Sequence, residues 1–223
     1  SSNVTCASSK APAIHAHTTS DANTLLHALT ETGHDSKIAR QLKCDVAQCS
    51  LQTGRQAQVI LGSEIAPNEK GVGAMVGPAG VDRTCELEPP PGSEAEKWHR
   101  EGRLALIQSS VSSCYIYVAV VYGVVNAPAQ TDELLRALEL WLQAKLRPLD
   151  PIFIMGDLNV EPHESAVLDR WQDGTCDRPT FLEEYVAARF VQILVSGQEM
   201  DELRTWRRHV ADAALAFDAA AAI

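Results

Sequence analysis

Asp157 and Asn159 are the residues whose types and spacing point most directly to chemistry. They close the stretch Pro151-Ile-Phe-Ile-Met-Gly-Asp-Leu-Asn159. Ile152 to Met155 form a short apolar run that suits a buried strand, and Gly156 ends it. A strand that ends this way places a carboxylate and a carboxamide at its rim. Alternation along the chain predicts both on one side, with Leu158 turned away. The acid can accept a proton, orient a water or hold a divalent cation, and the amide can donate to a phosphate oxygen. Both residues are equally suited to capping the turn that leaves the strand.

The elements that must position this pair precede it. Arg103 to Ser109 and Cys114 to Val121 read as strands, the second rich in Tyr, Ile and Val. Ser109 to Ser113 reads as the turn between them, giving an antiparallel hairpin. Tyr122-Gly-Val-Val-Asn-Ala-Pro128 leaves the sheet as a loop. A helix is expected from a Thr131 cap to Leu146, with Leu134, Leu135, Leu138, Trp141 and Leu142 on its buried face. Pro148 and Pro151 stop it before the strand that reaches Asp157. Two short strands, Val59–Leu61 and Val72–Val76, are expected earlier, and Glu86 to Glu96 reads as an acidic, proline-rich loop.

Length and charge bound the rest. The 223 residues give room for one large domain or two small ones. The net charge of −10 is concentrated beyond residue 100. That balance argues against strong non-specific adhesion to nucleic acid, yet it permits an enzyme that meets phosphate through a bound cation. Six scattered cysteines suit a reducing, intracellular compartment. No apolar run approaches the length of a membrane span. The first residues carry no signal-peptide pattern and read as a cut end, with residues 1–13 expected to be disordered.

The segment Thr18 to Lys43 reads as a helical hairpin. Ser20 or Asp21 would cap its first helix, with Leu25, Leu26 and Leu29 as the stripe, and Asp35 or Ser36 would start its second. His15 and His17 precede this unit, and Cys44 and Cys49 follow it. Imidazole and thiolate together are zinc ligands. Residues 15–49 resemble the His/His/Cys/Cys segment that precedes copia-type retroelement integrases. The spacing departs from that family, with Ala47 where its second Cys falls and the two His residues close together. No tight zinc site is therefore expected.

Val121-Tyr-Gly-Val-Val-Asn126, an amphipathic helix, and then Met155-Gly-Asp-Leu-Asn-Val160 stand in a specific order. That order resembles the endonuclease/exonuclease/phosphatase superfamily over residues 103–170. The resemblance implies an α/β chain of the α+β type: a DNase I-like two-sheet sandwich flanked by helices, here incomplete. It divides the chain into a helical His/Cys segment, 1–50, and a partial nuclease-like domain, 51–223. It implies Mg²⁺- or Mn²⁺-dependent phosphodiester hydrolysis on nucleic acid or another phosphate ester. Asp157 would activate the attacking water, Asn159 would hold a phosphate oxygen, Tyr122 would reach the scissile phosphate, and Asn126 would lie on the substrate side.

Two parts of the family pattern are missing. Its metal-binding Glu follows an early strand as Gln-Glu, whereas the nearest match here, Leu51-Gln52-Thr53, has Thr in that place. Glu64 and Glu69 stand nearby. Its terminal Ser-Asp-His is absent; His209 and Asp212 precede an alanine-rich end that reads as truncated or of low complexity. Residues 171–211 read as packing helices. Two functions fit: an active endonuclease-like hydrolase of retroelement origin, or a catalytically degenerate relative of it.

Overall fold

The computed structural model describes residues 2–3, 7–63, 71–111, 114–145, 150–160 and 164–168. In chain order the elements are β1 (Ser2–Asn3), α1 (Ala11–Thr18), β2 (Leu26–Thr30), α2 (Ser36–Thr53), β3 (Gln58–Leu61) and β4 (Val72–Val76). Then come β5 (Thr84–Leu87), α3 (Glu94–Arg100), β6 (Leu104–Val111), β7 (Cys114–Tyr122), α4 (Pro128–Gln143) and β8 (Ile152–Asp157). They form two four-stranded sheets, ordered β1-β2-β4-β3 and β5-β6-β7-β8. The chain is thus α+β, a two-sheet sandwich flanked by helices. The first sheet draws strands from both sides of residue 50.

Alternation explains the layers. In β6, Leu104 and Leu106 face the helices, while Ala105 and Ile107 face the other sheet. In β7, Tyr117, Ala119 and Val121 join the helical side, while Val118, Val120 and Tyr122 join the sheet side. Both faces of this sheet are buried, which is why its strands are nearly continuous apolar runs. Ala28, Ile60, Val72, Ala74 and Val76 of the first sheet complete the layer between the sheets. On that sheet's far face Leu29, Val59 and Met75 pack on Ala11, Ile14, Leu42 and Val46 of α1 and α2. The order of layers is helix, sheet, sheet, helix.

The strands expected at 103–109, 114–121 and 152–156 are neighbours in one sheet. β7 and β8 run parallel, joined by α4, the long crossover that a parallel pair requires. Helix α4 begins at Pro128 after Ala127, so Thr131 is not its cap. Proline is suited to this first position because its missing N–H has no helical partner there. Thr131 instead accepts a hydrogen bond from the Val124 N–H at 3.0 Å and folds the incoming loop onto the helix.

Four expectations are corrected. Residues 24–30 are not helical: Leu26–Thr30 pairs with β4 along its whole length, and that pairing outweighs the Leu25, Leu26, Leu29 spacing. Asp21 does not cap a helix; its side chain accepts from Asn23 N–H in a turn that leads into β2. The start is not disordered throughout, since β1 pairs parallel to β2 and α1 follows, with Ala11 and Ile14 buried. Within Glu86 to Glu96, β5 and α3 replace part of the expected loop. Ser93 caps α3 by accepting from Glu96 N–H, and Glu96 reaches back to Gly92 N–H. The second helix of the expected hairpin forms as α2, capped by Asp35, which accepts from Lys37 and Ile38 N–H at 2.9 and 2.8 Å. Among the described residues, no helix is long and apolar enough to cross a membrane.

Leu138 is fully buried between α4 and its sheet. Leu138→Ala is expected to destabilise the fold by about 2–5 kcal/mol in denaturant melts; a loss far below that would mean α4 is not docked.

Candidate functional site

The topology gathers strand ends at one rim. β2 and β3 both run antiparallel to β4, so both end where β4 begins. β7 and β8 end side by side, with Tyr122 paired in register with Asp157. Tyr122 is the last side chain of the layer between the sheets. Its hydroxyl donates to Glu31 Oε1 at 2.9 Å, and Glu31 is the first residue after β2. One hydrogen bond thus ties the rims of the two sheets together.

Two glycines allow the β7 and β8 ends to meet. A Cβ at Gly123 would lie 1.8 Å from the Leu158 carbonyl oxygen, and one at Gly156 would lie 1.9 Å from that of Val121. Gly156 also has φ of +134°, which L side chains rarely adopt. Across this contact Gly123 N–H donates to Asp157 O at 2.8 Å. Asn159 Nδ2 donates to Gly123 O at 3.1 Å, and Asn159 N–H donates to Asp157 Oδ1 at 3.0 Å. The strand stops at Asp157 and Asn159 is left-handed, with φ of 51°. The pleat argument for placing the two side chains therefore does not extend past Asp157. The pair does form a turn: one carboxylate oxygen closes it, and Oδ2 accepts no bond among the described residues.

Arg103 is a member of this site that sequence pattern alone does not reveal. It is buried just before β6, donates to the carbonyls of Tyr122 and Gly123 at 3.2 and 2.7 Å, and lies 5.4 Å from the centre of the Tyr122 ring. It fixes the end of β7 and places a cation beside the hydroxyl-bearing ring. Glu31 is the second unforeseen member. Reading 24–30 as helix hides it; Ala28, Leu29 and Thr30 are all buried, so no period-two pattern marks the strand that Glu31 follows.

Burial raises Tyr122 above the ordinary tyrosine value. The bond to Glu31 and the negative charges of Glu31 and Asp157 push the same way, and Arg103 opposes them. At neutral pH the group is a phenol, a hydrogen-bond donor. Asn126 lies in the exposed turn four residues beyond, left-handed with φ of 55°, and no described bond joins it to Asp157.

The exits of β2 and β3 are pinned by buried His34. Its Nε2–H donates to Gly62 O at 3.1 Å, and Nδ1 accepts from Thr32 Oγ1 at 2.8 Å. The expected metal-Glu match, Gln52-Thr53, ends helix α2 and is exposed, so it is no strand-borne ligand pair. β3 now supplies a strand three residues ahead of Glu64; Glu64 and Glu69 themselves, with His209, Asp212 and everything after Leu168, lie outside the described residues. His15, His17, Cys44 and Cys49 do not converge. His15 faces Ser50 Oγ and Arg55 O, His17 stacks edge-on to His27, and the cysteines lie along α2. Among the described residues no three His, Cys, Asp or Glu side chains form a metal cluster.

The donors at the rim are oxygens: the Glu31 and Asp157 carboxylates, the Asn159 carboxamide and the Tyr122 hydroxyl. That set suits a hard cation such as Mg²⁺, which commonly takes one or two carboxylates and completes its shell with water and substrate phosphate.

No protein-family profile matches the chain, and no curated protein does. Solved structures do. Sphingomyelinase C from Streptomyces griseocarneus is 18% identical, with a TM-score of 0.48 over 74% of this chain and 64% of that one. An AP endonuclease from Leishmania major is 14% identical, at 0.47 over 72% and 54%. D. rerio TDP2 in complex with a single-strand DNA product is 15% identical, at 0.46 over 74% and 59%. The chain spans about three fifths of the length of the TDP2 chain from D. rerio.

Because burial and Glu31 hold Tyr122 protonated, its ionisation is expected above pH 10, later than that of an exposed tyrosine. The fold is more favourable for the protonated form, so this contribution to stability is present below pH 10 and is lost as pH rises through the folded value. Glu31→Gln should move the ring ¹³Cζ titration of Tyr122 downward, with Tyr122→Phe assigning the resonance. An unmoved titration would mean the Glu31 contact is not made in solution.

Proposed function

We propose that the chain is a Mg²⁺- or Mn²⁺-dependent phosphodiester hydrolase whose substrate is a nucleic acid, with the Tyr122–Asp157 rim as its active site. The observation that carries this reading is the registered pair Tyr122 and Asp157 on parallel strands, with Glu31 brought to the same hydroxyl from the second sheet.

In this reading Glu31 and Asp157 would hold the cation, which when bound neutralises charge developing on the phosphate oxygens. Asp157 has a carboxylate oxygen beyond its turn bond and takes the proton of the attacking water. Tyr122 is kept a phenol by burial and by Glu31, so it is not a base; its single hydrogen, given to Glu31 in the free site, would turn to a non-bridging oxygen once Glu31 holds the cation. Asn159 uses one N–H on Gly123 O and has a second for phosphate. Asn126, on the exposed turn beside the rim, is placed to meet the substrate strand. A strongly acidic chain gains little from counterion release on nucleic acid. Its approach to phosphate therefore depends on the cation.

A retroelement origin rests on sequence resemblance, and the zinc-segment half of that resemblance has no folded counterpart, since a strand stands where its helix was expected.

Supercoiled and abasic plasmid DNA should be nicked in the presence of Mg²⁺ and not in EDTA. Asp157→Ala is expected to lower the rate by about 10²–10³, with Glu31→Gln raising the Mg²⁺ concentration needed. Absence of nicking by the unmodified chain on either substrate would favour the catalytically degenerate reading.

A further inference from the structure

A second hydrogen-bonded assembly lies among the strand ends, and phosphate chemistry at Asp157 makes no use of it. Ser63 follows β3, His99 lies near the end of α3, and Glu86 stands in β5. Ser63 Oγ is 2.9 Å from His99 Nδ1, and His99 Nε2 is 2.9 Å from Glu86 Oε1. An ionised carboxylate only accepts, so Nε2 carries the hydrogen given to Glu86. In the neutral ring Nδ1 is then the bare nitrogen, and it accepts from the Ser63 hydroxyl. The sequence of groups is hydroxyl, base and orienting carboxylate, the constellation that activates an oxygen nucleophile.

Burial grades along the line. The His99 side chain is 9% exposed and that of Glu86 20%, while Ser63 is partly exposed. The base and its orienter are shielded, and the hydroxyl can be reached. Each part is held by its own element. Ser93 caps α3 ahead of His99, and β5 pairs with β6 through Glu86. Gly62 N–H is bound by Val72 O, and Gly62 O accepts from His34, so the residue before Ser63 is fixed at both polar atoms. A lone serine hydroxyl needs only one acceptor. Burying an imidazole and a carboxylate behind it carries a desolvation cost that packing alone does not explain.

We propose that Ser63 is a nucleophile, with His99 as its general base and Glu86 as the carboxylate that orients His99, and that this site takes uncharged carboxylic esters. The negative charge of Glu86 behind the hydroxyl repels an anionic phosphodiester and tolerates a neutral carbonyl. Ser63 Oγ bonds to the acyl carbon as the ester C–O bond breaks. The hydroxyl proton passes to His99 Nδ1 and then to the departing alkoxide. Water cleaves the acyl-serine by the same route and restores the hydroxyl. Glu86 stabilises the imidazolium formed in each half and gains no proton. No cation takes part.

The test uses an alkyl fluorophosphonate on the full chain in EDTA, followed by intact mass and peptide mapping. The Ser63 Oγ–P bond forms, P–F breaks, fluoride leaves and the proton goes to His99. One adduct is expected, on Ser63. His99→Gln should slow it by about 10²–10⁴. Glu86→Gln, which keeps the shape of the side chain and is checked for folding by its thermal melt, should slow it as well. A burst of p-nitrophenol from p-nitrophenyl acetate should follow the same order of variants. No adduct on Ser63 in the folded chain, or equal rates for the unmodified chain and a folded Glu86→Gln, would overturn the proposal. Loss of Mg²⁺-dependent nicking without loss of the adduct would count only against the phosphodiesterase reading.

Discussion

Burial of the β5-β6-β7-β8 sheet on both faces is the constraint on which the rest of the structure depends. Leu104, Leu106, Ala119 and Val121 are taken by α4 and α3, and Ala105, Ile107, Val118 and Val120 by the other sheet. A sheet covered on both sides leaves water only its edges and ends. Polar side chains that cannot be buried must therefore collect where strands stop. Tyr122 shows how this works: its ring closes the layer between the sheets and its hydroxyl emerges at the end, next to Glu31. The site is the place where the apolar layer runs out.

The same constraint decides what could be read from sequence. Residues 104–157 were legible because double burial gives long apolar runs, and because one parallel pair needs one long crossover. Those two facts already place Tyr122 beside Asp157. β2 was illegible for the opposite reason. It is a short strand whose leucines fall at helical spacing, and only its pairing with β4 and its cover by α2 decide the matter. Losing β2 hides Glu31, whose partner is 91 residues away. No local pattern reports such a contact. Arg103 is hidden similarly, since its acceptors are two backbone carbonyls at the far end of the hairpin. The capping box at Ser93 and Glu96 was readable in principle, but the neighbouring prolines drew the reading toward loop.

Electrostatics at the rim follow from the order in which groups are satisfied. Arg103 Nη1 is spent on two carbonyls at the β7 end and its Nε lies 3.9 Å from Glu101 Oε2, so it both fixes backbone and pairs with an acid. Glu31 and Asp157 both bear on Tyr122 and both raise it. Two carboxylates thus bear on one phenol, and both favour its protonated form.

The described exits of β2 and β3 are tied down, and their backbone accounting says how. Gly71 N–H binds Gly102 O, Thr32 N–H binds Gly71 O, and Gly62 is held by Val72 and His34. Gly71 has φ of +120°, and a Cβ there would lie 2.3 Å from Thr32 Oγ1, so any other residue would displace the hydroxyl that bonds His34 Nδ1. The exits of β2 and β3 are therefore locked to each other and to the turn before β6. Glu31 stands at one end of this lock and Ser63 at the other. A rigid rim of this kind lets side chains from five separate strands and their exits keep fixed positions, which is the condition for acid, donor and nucleophile to act from loops.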